Sequence, residues 1–318
     1  MVKLRKKIIF VLVSVLLAAV LSLYGQAKYN LAVNAAVKSD DPIYQTTLKR
    51  DILCLMMAYP GYIQDLEVDS VGKTYVVLKS GKKIIYDDFK EKNVWQKSGN
   101  PDIQDMLEQI YPLSEIKELL PEYYNPGCAR IYPLFKEVYG TNKSQIEKNL
   151  VKVSIGYKFV EFNKNNHAAA ALQAVMKELL PLARKDYKVY NAAFPSNGTY
   201  YYRLIGGTNR LSSHAFGIAI DLHSNKYDYW RWSSREQGQK RLDNYPQSIV
   251  RIFEKNGFIW GGKWGNFDIM HYEYRPEIIY KARYFAQKPV PGLPWYDGLQ
   301  DNQEAMNIVW WIEQQLPF

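Results

Sequence analysis

The chain has 318 residues, 47% of them hydrophobic, with a formal net charge of +9. Such a composition builds a packed core rather than a disordered chain, and the length allows one large domain or a core with a smaller subdomain. Without residues 1–27, 37 bases stand against 32 acids and the charge falls to +5, which excludes the dense basic stripes of a nucleic-acid binder.

Residues 1–27 read as an export segment. Lys3, Arg5, Lys6 and Lys7 precede an uncharged, mostly apolar run from Ile8 to Leu23, and the small-residue order Gly25-Gln26-Ala27 places cleavage after Ala27. The run is shorter than the roughly 20 residues that span a bilayer, which favours a cleaved signal peptide over a retained membrane anchor. Both readings put the rest of the chain outside the cytoplasmic membrane, whether secreted, periplasmic or cell-wall associated. Membrane contact is expected only through an uncleaved leader. In such a compartment Cys54 and Cys128 can pair or stay free, and neither has a second thiol or a histidine at metal-ligand spacing.

A polar spacer follows over 28–41, and residues 42–148 are expected to form a mainly helical support region. Leu48, Ile52, Leu53, Leu55 and Met56 recur at helical spacing up to the Pro60-Gly61 break. Thr74 to Leu78 and Lys83 to Tyr86 form a predicted hairpin around Ser80-Gly81. Short helices are predicted over Pro101 to Tyr111, Ser114 to Leu120, Pro133 to Val138 and Ser144 to Leu150, and none of this stretch shows a catalytic cluster.

Residues 149–285 carry the chemistry. A helix is predicted from His167 to Lys185, kinked or interrupted at Pro181, with His167 as a surface or capping residue. Thr199 to Arg203 reads as a strand that delivers Arg203. From Gly217 the pattern alternates, with Ile218, Ile220 and Leu222 toward the core and Ala219 and Asp221 on the opposite face. A helix over Pro246 to Asn256 stops at Gly257, and a second strand carries His271 and Glu273 on one face. Asp268 must then sit on the turn that enters it. Residues 286–318 are a linker and a helix over Asn302 to Leu316, bearing Met306, Val309, Trp310 and Ile312 and expected to dock on the body.

Two of the four histidines, His214 and His271, lie in these runs beside Asp221 and Asp268. Two imidazoles and one carboxylate suit zinc and leave a fourth position open. His214, Asp221 and His271 are therefore the candidate metal ligands. Asp268 is the candidate general base, and Arg203 the group for a developing oxyanion or a substrate carboxylate. Ser212 and Glu273 are supporting candidates, Glu273 either orienting an imidazole or lying at the surface. His223 is placed in a loop, and Tyr227, Tyr229, Trp230 and Trp232 are candidates for lining a glycan or peptide groove.

The pattern Ser212-x-His214-x-x-Gly217-x-Ala219-x-Asp221, followed by Asp268-x-x-His271, resembles the VanY-type D-alanyl-D-alanine carboxypeptidases and the related L-alanyl-D-glutamate endopeptidases of phage endolysins. The run from Gly257 to Trp264, with that from Asp268 to Pro276, is similar to an exported bacterial subgroup of that family. The resemblance implies a zinc peptidase of the hedgehog/DD-peptidase fold, α+β with helices packed on a small antiparallel sheet, acting on peptidoglycan stem peptides. It implies zinc on His214, Asp221 and His271, Asp268 as base, Arg203 as the substrate arginine and Ser212 as a support. Carboxypeptidase action is the first expectation. Endopeptidase action is the alternative within the same chemistry, and a non-catalytic zinc-containing cell-wall binding module is the alternative outside it.

Overall fold

The computed structural model describes residue 20, residues 40–299 and residues 302–318. Nearly all of the leader over 1–27 and of the spacer lies outside the described residues. The fold is α+β. Helix α1 (Pro42–Ala58) starts where the Asp41 carboxylate accepts the amide of Ile43 at 2.9 Å, with proline in the first turn. A three-stranded antiparallel meander follows, β1 (Ile63–Val68), β2 (Thr74–Leu78) and β3 (Lys83–Ile85). Helices α2 (Val94–Gly99) and α3 (Ile103–Leu107) are fixed by reciprocal capping boxes, Asn93 with Gln96 and Asp102 with Asp105.

The helix expected over Ser114 to Leu120 does not form. Its backbone groups are taken by distant side chains instead: Gln239 accepts the Leu119 amide at 2.9 Å and donates to the Lys117 carbonyl, while Arg235 donates to the carbonyls of Leu119 and Leu120. Tertiary partners satisfy what an internal helical ladder would otherwise satisfy. Helices α4 (Tyr132–Tyr139) and α5 (Lys143–Lys148) come next, then an unforeseen hairpin, β4 (Leu150–Ser154) with β5 (Phe159–Asn163). Helix α6 (Ala168–Lys185) passes through Pro181, and α7 (Tyr187–Ala193) is capped by Asp186.

Thr199 to Arg203 does not form a strand; beyond it a single bridge joins Leu204 and Leu211. The remaining elements are β6 (Ala219–Asp221), α8 (Arg235–Asp243), α9 (Gln247–Lys255), β7 (Phe258–Trp260), β8 (His271–Tyr274), α10 (Pro276–Tyr284) and α11 (Gln303–Gln315). Helix α11 packs on α1 through Val309, Ile312 and Leu316, whereas Met306 and Trp310, expected on that face, are exposed. Among the described residues no helix is long and apolar enough to cross a membrane. Cys54 and Cys128 are both free thiols.

The sheet that matters runs in the order β6-β8-β7, all antiparallel. Ile220, Tyr272 and Trp260 share one face, where the Phe253 ring of α9 stacks on Tyr272 at 3.9 Å. Asp221, His271, Glu273 and Ile259 share the other by the period of two. That second face is covered by the segment 124–130. Arg275, fully buried, donates to the carbonyls of Gly127 and Ala129, and its Nε pairs with Glu277 at 2.5 Å. Trp264 Nε1 donates to the Pro126 carbonyl at 2.8 Å, and the Gly265 amide to the Tyr124 carbonyl at 2.8 Å. A side chain at Gly265 would meet the Pro121 carbonyl oxygen at 1.8 Å, so only glycine allows this approach.

Arg275 thus joins the early part of the chain to β8. Arg275→Met is expected to lower the unfolding free energy by about 3–5 kcal/mol, because buried carboxylates lose a partner; urea denaturation measures it, and an unchanged midpoint would remove Arg275 from this role.

Candidate metal centre

His214 stands on a one-turn 3-10 helix, Ser213–Phe216. The Ser212 hydroxyl opens it by accepting the His214 amide at 3.3 Å, and Gly217, at φ +69°, closes it. A Cβ on Gly217 would meet Leu150 Cδ2 at 2.6 Å, so both conformation and space demand glycine here. Nδ1 of His214 donates to the Thr199 carbonyl at 2.6 Å. That bond fixes the tautomer and turns the Nε2 lone pair inward.

Asp221 ends β6 and His271 begins β8, directly opposite one another in the register. His271 Nδ1 lies 2.9 Å from Asp221 Oδ1 and 3.2 Å from His214 Nε2, and His214 Nε2 lies 3.2 Å from Asp221 Oδ1. Tetrahedral zinc, with bonds of about 2.0–2.1 Å, separates its ligand atoms by roughly 3.3 Å. Three donor atoms facing one another at this spacing fit a zinc ion held by His214, Asp221 and His271. A second group, Asp87, Asp88 and Asp102, also clusters, but there the Lys92 ammonium lies 3.0 Å from Asp88 and 2.7 Å from Asp102 and already supplies a cation.

The outer nitrogen of His271, Nε2, lies 3.4 Å from the Ser213 hydroxyl and 3.7 Å from Glu273 Oε2. Glu273 is fully buried, which excludes the surface role. Its carboxylate takes both arms of Arg130, Nε at 2.9 Å and Nη2 at 2.5 Å, and approaches Arg275 at 3.4 Å. Burial would raise the Glu273 carboxyl, but Arg130, His271 and Arg275 hold it well below the usual range. Arg130 was not foreseen. It lies 143 residues before Glu273, and no local pattern around Gly127-Cys128-Ala129 marks it.

Asp268 sits on the turn before β8, with its amide bonded to the Gly261 carbonyl at 2.9 Å. The residue is half-buried, and its Oδ1 is shut off from solvent without a hydrogen-bond partner. Burial first, with Asp221 and Asp228 adding to it against the pull of His271 and Arg203, leaves its carboxyl pushed up to about 7. Arg203 is exposed and lines the same cavity, of about 620 Å3, as Asp268, Asp221, His214 and His271. Tyr229, Trp230 and Trp232 line it too, whereas Tyr227 does not. His223 lies in a loop outside the ligand group, and His167 is exposed.

Residues 206–274 match a family model described as D-alanyl-D-alanine carboxypeptidase. The match supports a peptidase. The matched segment holds His214, Asp221, Asp268 and His271 but begins after Arg203 and excludes Arg130. No curated protein and no solved structure matches the chain at a significant level.

Burial would lower the His271 imidazole, but its hydrogen bond to Asp221 and the nearby Glu273 carboxylate push it up to about 10. A proton held there must leave when a metal binds, so zinc affinity should rise with pH between 7 and 9, with release of about one proton per ion. Calorimetry in buffers of different ionisation enthalpy reads this number. His271→Ala should abolish stoichiometric binding; full binding by that variant would contradict the ligand set.

Proposed function

We propose that the protein is a zinc-dependent peptidase acting outside the cytoplasmic membrane on the stem peptides of peptidoglycan, with D-alanyl-D-alanine carboxypeptidase action as the first reading. The observation that carries it is the convergence of His214 Nε2, Asp221 Oδ1 and His271 Nδ1 within one cavity that also holds a buried, unpartnered carboxylate oxygen of Asp268. The family match over residues 206–274 supports it.

A zinc ion held by these three residues supplies Lewis acidity, which polarises a carbonyl and lowers the pKa of water. The remaining steps belong to the chain. Asp268, with no hydrogen bond holding its Oδ1 in place, takes a proton from the attacking water and passes it to the leaving amine. Its raised pKa suits both halves of that transfer, and a neighbouring cation draws it down toward the ionised form. Arg203, with its backbone carbonyl tied to the Ser212 amide at 3.1 Å, binds the terminal carboxylate or the oxyanion. Thr199 and Ser212 hold His214, and Glu273 faces the outer nitrogen of His271.

A module that only held zinc would have no use for a desolvated carboxylate beside the ligands, since such a group destabilises the fold. Asp268→Ala is therefore expected to keep about one equivalent of zinc and to lose hydrolysis by about 10²–10⁴-fold. Defined muropeptides analysed by mass spectrometry give the readout. Loss of one alanine identifies carboxypeptidase action, and release of a peptide from the lactyl-alanine stub identifies the endopeptidase. Zinc-loaded protein that yields no product would sink the enzymatic reading.

A further inference from the structure

The cavity holds more positive charge than the proposed reaction uses. Five cationic side chains line it: Lys97, Arg130, Arg203, Arg210 and Arg231. Two are neutralised, Lys97 by Glu108 at 2.5 Å and Arg130 by Glu273. For Arg203, Arg210 and Arg231, no carboxylate lies within the 4.0 Å of an ion pair among the described residues. Two of these guanidiniums are nevertheless oriented by neutral partners. Arg210 reaches across to the support region, where its Nη1 donates to the carbonyl of Ser98 and lies 3.0 Å from the Ser98 hydroxyl. Arg231 stacks over the Trp230 ring at 5.0 Å.

Guanidiniums that are oriented by neutral partners and have no ion-pair partner of their own keep their charge and their donors available for a bound anion. One of them, Arg203, is enough for the carboxylate or oxyanion at the cleaved bond. We propose that Arg210 and Arg231 form a second anion-binding subsite, which makes this cavity selective for acidic peptides that carry a free carboxylate away from the cleaved bond. This rests on the peptidase reading of the same site and names the chemical class of its substrate. Arg210 and Arg231 are specificity-determining residues, and the planar fork of each suits a carboxylate better than a neutral amide.

The test uses two synthetic stem peptides that differ only in whether their side-chain carboxylates are free or amidated. Binding is measured by calorimetry on the full, zinc-loaded chain carrying Asp268→Ala, which keeps the peptide intact. The free acid is expected to bind about tenfold tighter at low ionic strength, the scale of one charge-assisted hydrogen bond, and this ratio should shrink in about 0.5 M salt. Adding Arg210→Gln or Arg231→Gln should reduce the ratio severalfold, whereas Lys97→Gln, whose charge is already paired, should preserve it. Equal affinity for the two peptides, or a ratio that survives both arginine changes, overturns the subsite. Turnover by the unmodified chain separates the two claims. Selective binding without cleavage by that chain refutes the peptidase and leaves the subsite standing, and cleavage of both peptides with equal kcat/KM and equal affinity does the reverse.

Discussion

The buried charge cluster of Glu273 with Arg130 and Arg275 is the constraint on which the arrangement of the site depends. Glu273 and Arg275 have no exposure to solvent, and a carboxylate at that depth is tolerable only with fixed cations and hydrogen bonds around it. Arg130 takes the carboxylate bidentately, while Arg275 divides its donors among Glu273, Glu277 and two backbone carbonyls of the segment 127–129. The cluster therefore does two things at once. It presents a negative group to the outer nitrogen of His271, and it binds residues from the early half of the chain to the sheet.

The sheet then does the placing. Because Asp221 pairs opposite His271, and Glu273 follows at the period of two, three charged or coordinating side chains share one face without special loop geometry. The opposite face carries large aromatic side chains packed on α9, which leaves the register little freedom, since a slip of one residue would bury the carboxylates among those rings. Of the three candidate ligands His214 alone depends on a turn, and that turn is fixed at both ends by Ser212 and Gly217. A rigid strand pair with one capped turn is a scaffold suited to holding an ion at sub-ångström tolerance.

Much of the site was legible in the sequence because its residues are close together along the chain. Ser212, His214, Gly217 and Asp221 fall within ten residues, and Asp268 and His271 within four, so local spacing carried the pattern. The placement of Asp268 on the turn followed from strand parity. What escaped was non-local. Arg130 announces itself only through a partner 143 residues away, and the backbone over 114–120 is held by Gln239 and Arg235, which no propensity at 114–120 could reveal. The hairpin of β4 and β5 was missed although Val151-Lys152-Val153 and Val160-Glu161-Phe162 alternate on either side of Gly156. Thr199 to Arg203 has strand-like residues, but the pairing with β6 ends at Gly198, and beyond it the chain bonds to the turn that carries His214.

The 143-residue separation of Arg130 from Glu273 also sets how much of the chain the site needs. Closing so long a loop costs chain entropy, which only the contacts it brings together can repay. Residues 206–274 taken alone would leave the Glu273 carboxylate behind His271 without its bidentate partner, so the early half of the chain is part of the site's support rather than an appendage to it.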